Sequence, residues 1–475
     1  MILRTMRRHQ GSRRGWWRAS AGTVATLATV ATALSAPGAA SSASAAPRAT
    51  LSLSTLDAAN GVYPTDTAKA CRGKNGVQLE AWIWVPGIYR TVDVFNETHP
   101  GICVKLDDVG AGDTEYVKLT DAIKANSGVP DVAEVEFDEL PSYEITHSVV
   151  NLAKYGADKY KNDFAPFAWQ EVSQGSAVYA MPGDSGPMDL FCNSAELAKY
   201  HVTPGTTWAA FAKAAAAFHK ADPKGYLTVF DPEDMQYLVS LMGQLGAFPF
   251  KWSGGANVTV NFTGAKQMQF ANYWQGLISA GDVKAAADFQ NAFWSNLNNG
   301  TYACWVASAW GPSYLAPNLT KASLGSWRTY PLPQWKAGQN VAANWGGSTY
   351  PVFTASKHPA QAAEFSEWMN GTMSSWKIMY TAPSSLFPTY LPLLHDKTFL
   401  ASSIPATGHT PLFDKAAAAA SHVKAVSWPP FMTYFLALTT MANVLNGKGS
   451  IPADFKTLQS TMTSYAKSQG FKVSS

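Results

Sequence analysis

The sequence predicts an α/β protein built as two lobes, and three observations lead there. Val77, Leu79, Ala81, Ile83 and Val85 alternate onto one face of a strand; Tyr89, Val92 and Phe95 follow at helical spacing until Pro100 stops the helix; Ile102 to Val109 form a second strand. Strand, helix and strand in succession call for a largely parallel sheet buried under helices. At 475 residues the chain exceeds what one hydrophobic core organises.

The elements follow in order. Residues 47–75 are rich in Ser, Ala and Gly and read as a flexible N-terminal segment. After the second strand comes a Gly110-Ala111-Gly112-Asp113 loop. The next helix carries Tyr116, Leu119 and Ile123 on one face and ends near Gly128, before a short strand from about Val132 to Val135. The pattern restarts from Ala180. Asp189 to Cys192 form a strand, and Thr207 is placed to cap a helix whose Trp208, Phe211, Ala215 and Phe218 face inward. Helical patterns run over about 233–246, 264–279 and 286–298, followed by a strand over Thr301 to Ala307. The uncharged stretch Trp428 to Gly447 is broken by Pro429, Pro430, Thr433, Thr439, Thr440, Asn443 and Asn446, so it reads as a buried helix rather than a membrane span.

Composition narrows the function. Residues 1–46 differ from the rest: Arg4, Arg7, Arg8, Arg13, Arg14 and Arg18 precede a charge-free run from Ala19, and small residues surround Ala43-Ser44-Ala45. This is the pattern of a secretory leader cut after Ala45 or Ala46. Its Ser12-Arg13-Arg14-Gly15-Trp16-Trp17-Arg18 stretch is similar to a twin-arginine export signal. Removal takes six of the 36 basic residues and none of the 33 acidic ones, leaving a net charge of −3 and no basic surface suited to nucleic acid. Four cysteines, all after the leader, favour two disulfides in an oxidising compartment, and none stands where a lipid-attachment cysteine would.

Enzyme signatures are absent: there is no Gly-x-Ser-x-Gly elbow, no His-Glu-x-x-His and no phosphate-cradling glycine loop. The nine histidines form no close pair, so neither a metal site nor a cofactor is expected. Glu134, Glu136, Asp138 and Glu139 supply enough carboxylates for a glycoside hydrolase. A solvated strand end with one ligand-binding acid is the reading preferred for them, because acidic clusters usually face water. The 17 Trp, 19 Tyr and 23 Phe carry a stronger signal. Trp310 follows a strand, Trp345 precedes Gly346-Gly347, and Trp428 precedes two prolines; such positions suit an indole that offers its face to a cleft, where the C–H face of a sugar stacks.

The runs Gly110 to Leu119, Gly128-Val129-Pro130-Asp131-Val132, Tyr179 to Pro187, Pro204 to Trp208, Asn344 to Ser348 and Tyr465 to Phe471 occur in order along nearly the whole chain after the leader. In them the chain resembles the family 1 extracellular solute-binding proteins of ABC-type sugar importers. The resemblance implies a type II periplasmic-binding-protein fold, with two α/β lobes around a ligand cleft and a hinge. Lobe one would comprise 75–181 plus 344–392, and lobe two 182–343 plus 393–475. It implies cleft residues at Trp84, Asp138, Asp184, Trp310, Trp345, Gly346, Gly347 and Trp428. With disulfides kept inside lobes, Cys71 pairs with Cys103 and Cys192 with Cys304. The expected protein is a secreted, monomeric, non-enzymatic receptor that hands a mono- or oligosaccharide to an ABC permease. The alternatives are a polyamine or peptide ligand in the same fold, and a secreted glycoside hydrolase.

Overall fold

The structure, a computed structural model, describes residues 76–475 except 86, 381–385, 402–411 and 433–440. The leader, the N-terminal segment through residue 75 and Cys71, hence the Cys71–Cys103 pair, lie outside the described residues. So does the middle of the stretch Trp428 to Gly447, whose Trp428 is in irregular chain.

The principal elements of the first half are β1 (Val77–Trp82), α1 (Tyr89–Thr98), β2 (Ile102–Asp107), α2 (Asp113–Ala125), β3 (Val132–Ala133), β4 (Val135–Glu136), α3 (Pro166–Glu171) and β5 (Met181–Pro182). There follow β6 (Met188–Asn193), α4 (Trp208–Ala221), β7 (Tyr226–Phe230), α5 (Met235–Gln244), β8 (Phe250–Lys251), β9 (Asn257–Val260), α6 (Ala265–Ala280), β10 (Lys284–Ala285), α7 (Asn291–Asn298), β11 (Tyr302–Ser308), α8 (Gly311–Asn318) and β12 (Trp327–Pro331). The chain closes with β13 (Ser348–Tyr350), α9 (Pro359–Gly371), α10 (Met373–Met379), α11 (Ile451–Ser468) and β14 (Lys472–Ser474).

In the first sheet, β1 lies between β2 and β3, both parallel to it, with Val77 opposite Ile102 and Ala81 opposite Val132. Leu79, Ala81, Val92, Phe95, Tyr116 and Leu119 are buried, as the alternation and helical spacing require. The strand expected from Val132 to Val135 is two strands. At Glu134 the chain bends out of the first sheet, and β4 pairs antiparallel with β13, which also pairs with β5.

The second large sheet has the order β10-β7-β11-β6-β12. Here the expectation of a largely parallel sheet is corrected. β7 is parallel to β10 and β11, but β6, at the sheet's heart with all six residues buried, runs antiparallel to β11 and β12. The reason is how β6 arrives. No crossover helix returns the chain to the amino end of the sheet, and the crossing from β5 meets it where β11 finishes, with Met188 opposite Ser308. The antiparallel register sets Cys192 opposite Cys304, and the two are disulfide-bonded as expected.

Thr207 caps α4 by accepting the Ala210 N–H at 3.1 Å, worth about 1 kcal/mol. Trp208, Phe211, Ala215 and Phe218 are buried beneath it. The helix expected over 286–298 begins only at Asn291, because Phe289 has φ +58°, a left-handed conformation that a right-handed helix cannot include.

Candidate functional site

Two chain segments link the sheets, Gly183–Pro187 outbound and Asn344–Gly347 on the return, and they are laced together. Asn344 Oδ1 accepts the Gly186 N–H at 2.9 Å, Trp345 N–H donates to the Gly186 carbonyl at 2.8 Å, and Ser348 N–H donates to Asp184 Oδ1 at 2.9 Å. Gly186 and Gly347 have no room for a side chain. A Cβ on Gly186 would stand 2.7 Å from Trp310 Nε1, and one on Gly347, already at φ +115°, 2.9 Å from the Asp184 carbonyl.

Beside these segments lies a cavity of about 10 Å³, barely room for one water molecule. Asp138, Gly346, Gly347 and Trp428 line it, joined by Phe137, Glu171, Gln236 and Asn344. Direct contacts hold it shut. Gln236, on the first turn of α5, donates its side-chain amide to Asp138 Oδ1 at 2.6 Å. Glu171, at the end of α3, accepts the Val426 N–H at 2.8 Å and the Trp428 indole N–H at 3.2 Å.

The acidic cluster is the main correction to the sequence reading. Glu134, Asp138 and Glu139 are buried rather than solvated, because the bend between β3 and β4 turns them inward. Glu134 accepts hydrogen bonds from the Trp84 N–H (3.0 Å), the Val85 N–H (3.3 Å) and the Ser348 hydroxyl (2.7 Å). Glu136 accepts from the Tyr116 hydroxyl at 3.0 Å. Asp138 Oδ2 is buried with no hydrogen-bond partner among the described residues. Loss of water, reinforced by neighbouring carboxylates, pushes Asp138 up to about 7 and Glu136 to about 8. Burial likewise pushes Glu171 to about 8 and Asp234 to about 7, and raises Asp184.

The tryptophans are less open than their neighbours in sequence imply. Trp345 is 3% exposed: its indole N–H donates to Asp234 at 3.1 Å and its ring packs edge-on against Tyr237 and Trp310, with centroids 5.0 and 4.8 Å away. Trp428 is buried too, beside Phe250. Trp310 is half-buried and donates its indole N–H to the Trp345 carbonyl at 2.9 Å. Trp84 does not line the cavity; it stands behind Glu134 and meets Tyr116 edge-on at 5.9 Å.

Sequence reasoning missed Gln236, Glu171, Phe289 and Tyr314. Phe289 and Tyr314, 40% and 44% exposed, flank Trp310 with ring centroids 6.2 and 5.5 Å from it and 5.5 Å from each other, so the three rings form one partly exposed aromatic cluster. Tyr314, one helical turn beyond Trp310, was discoverable from spacing. Phe289 depends on a backbone conformation that no local pattern encodes.

The profile of the bacterial extracellular solute-binding proteins matches residues 79–374. The chain belongs to this family. Among solute-binding relatives, the arabinooligosaccharide-binding protein of Bacillus subtilis is 23% identical over 326 residues, covering 66% of this chain and 74% of its own. The lactose-binding protein of Rhizobium radiobacter is 24% identical, covering 61% and 69%. Among solved structures, the ABC-transporter-associated binding protein of B. animalis subsp. lactis in complex with β-1,6-galactobiose has a TM-score of 0.73 at 26% identity, covering 84% of this chain and 100% of that one. The Bifidobacterium longum galacto-N-biose/lacto-N-biose I-binding protein in complex with lacto-N-biose has a TM-score of 0.74 at 24% identity, covering 84% and 99%. The fold of this solute-binding protein is therefore the two-lobed periplasmic-binding-protein fold. Among its described residues no helix is long and apolar enough to cross a membrane.

Proposed function

We propose that this solute-binding protein is a carbohydrate receptor that delivers a mono- or oligosaccharide to an ABC importer without altering it chemically. The observation that carries the reading is Asp138, buried with Oδ1 held by the Gln236 amide and Oδ2 without a partner among the described residues, in a cavity whose Gly346 adjoins Trp310, the ring that Phe289 and Tyr314 flank. A sugar supplies what both lack. Its hydroxyls donate to buried carboxyl oxygens, and the apolar face of its ring covers indole and phenyl surface. The sugars that the relatives bind point the same way.

In this reading lobe one comprises 75–181 plus 344–392 and lobe two 182–343 plus 393–475, so the Gln236–Asp138 and Trp428–Glu171 bonds span the cleft. Sugar takes the place of these bonds when the lobes close on it about the Gly183–Pro187 and Asn344–Gly347 segments. The protein acts as a monomer outside the cell after loss of residues 1–46, without a lipid on its N-terminus.

A thermal-shift screen of neutral oligosaccharides, polyamines and short peptides tests the reading, because a ligand that binds only the folded protein raises its melting temperature. Stabilisation by saccharides, with no release of reducing ends on prolonged incubation, is the expected result. Stabilisation by polyamines or peptides alone, or turnover of the sugar, would sink it.

A further inference from the structure

A surface groove of about 410 Å³ lies apart from the residues of the proposed cleft. It lies between α9 and the paired short turns Leu152–Tyr155 and Ala157–Tyr160, in the range of small-molecule binding sites. Its depth comes from sequence: Ala360 and Ala363, three residues apart on α9, place small side chains where larger ones would fill the groove.

Aromatic rings form the walls. Trp368 is held by edge contacts to Phe95 and His99, with centroids 5.4 and 5.7 Å away, and is only partly buried. Tyr160 packs on Gly371, where a Cβ would come within 3.0 Å of its ring, and carries the Lys159 ammonium 4.6 Å from its centroid. Across from them Tyr155 is 37% exposed, one of few large apolar side chains on the surface. The polar rim pairs a donor with acceptors: Lys159 bonds Glu367 at 3.0 Å, and exposed Glu364 stands one turn earlier on the helix.

We propose that this groove is a second carbohydrate site, independent of the cleft, which takes one or two units of a neutral saccharide. The charge balance selects the class. Two carboxylates against one ammonium give the rim a net negative charge that repels phosphates and carboxylates, and no metal-holding cluster occurs among the described residues. A hydroxylated ring meets both demands at once, its C–H face on Trp368 or Tyr155 and its hydroxyls on the Lys159–Glu367 pair and Glu364. Solvent reaches such a site whether or not the cleft is closed, so it suits the end of a longer glycan.

The test is a titration of the full exported chain, with carbon-13 in its alanine methyls and nitrogen-15 in its tryptophan indoles, against lactose, maltose and cellobiose, with glycerol as the non-ring control. Saturable shifts of the Ala363 methyl with at least one disaccharide, absent with glycerol, are expected. In Ala360→Arg, which fills the groove from an exposed position, and in Trp368→Ala, they weaken about tenfold or more. Cleft binding, read separately from the Trp310 indole signal, stays unchanged in both variants, so failure of the groove and failure of the cleft reading are told apart. No Ala363 shift with any disaccharide, an equal shift with glycerol, or a shift that survives Ala360→Arg overturns the proposal.

Discussion

Gln236 and Asp138, 98 residues apart, meet at 2.6 Å beside a space of about one water. The contact joins α5 to the segment after β4, which belong to different lobes in the proposed division. In the proposed mode of action Gln236 takes the place of a ligand hydroxyl on Asp138, so a shut form competes with the ligand.

Gln236→Ala should therefore shift the sugar-free protein toward the open form. The lost bond, partly buried and to an acidic group, is worth about 1–3 kcal/mol. Small-angle scattering without ligand should give a larger radius of gyration for the variant than for the wild type, with the two converging at saturating sugar. Equal values without ligand would show that the contact does not hold the cleft.

The buried carboxyls make stability fall as pH rises. Asp138 and Asp234 at about 7, and Glu136 and Glu171 at about 8, lie above the values near 3.8 and 4.5 that they take when exposed. Between these limits the folded protein binds more protons than the unfolded chain. Their contribution is complete below the exposed values and lost as pH climbs through 7 to 8. The ligand-free melting temperature should drop from about pH 5 to about pH 8, and Asp138→Asn should flatten part of the slope. A melting temperature that rises over this range contradicts the burial of these groups.

Trp310 and Trp345 touch, yet their substitutions should separate binding from stability. Trp345→Ala opens a void in packed surroundings and leaves Asp234 without its indole donor, costing about 3–5 kcal/mol of stability. Trp310→Ala should instead weaken sugar binding by about 2–4 kcal/mol, roughly 30- to 1000-fold, with a smaller loss of stability. Calorimetry beside chemical denaturation distinguishes them. If Trp310→Ala keeps its affinity while stability collapses, its ring is structural.

Phe289 carries a left-handed backbone that costs a non-glycine residue about 1–2 kcal/mol. Replacing it by Gly relieves that strain but gives up ring contacts to Trp305, Trp310 and Tyr314 and loosens the unfolded chain, so the melting temperature should fall modestly while sugar affinity falls about tenfold. Unchanged affinity would remove Phe289 from the binding surface.

The sequence by itself determined the elements and their order, because these depend on neighbours a few residues away. Alternation from Val77 and helical spacing at Tyr116 and Leu119 survive in the structure with ends shifted by a few residues, and Cys192 and Cys304 pair as read. Only the tertiary structure decided the rest. β6 runs against its neighbours because of where the chain enters the sheet. Glu134, Asp138 and Glu139 are buried because the chain bends between two sheets at that point, although an acidic cluster in isolation belongs in water. Gln236, Glu171 and Phe289 join the site through partners or dihedral angles set by chain distant in sequence, and hydrogen bonds across such distances exist only once both halves have folded.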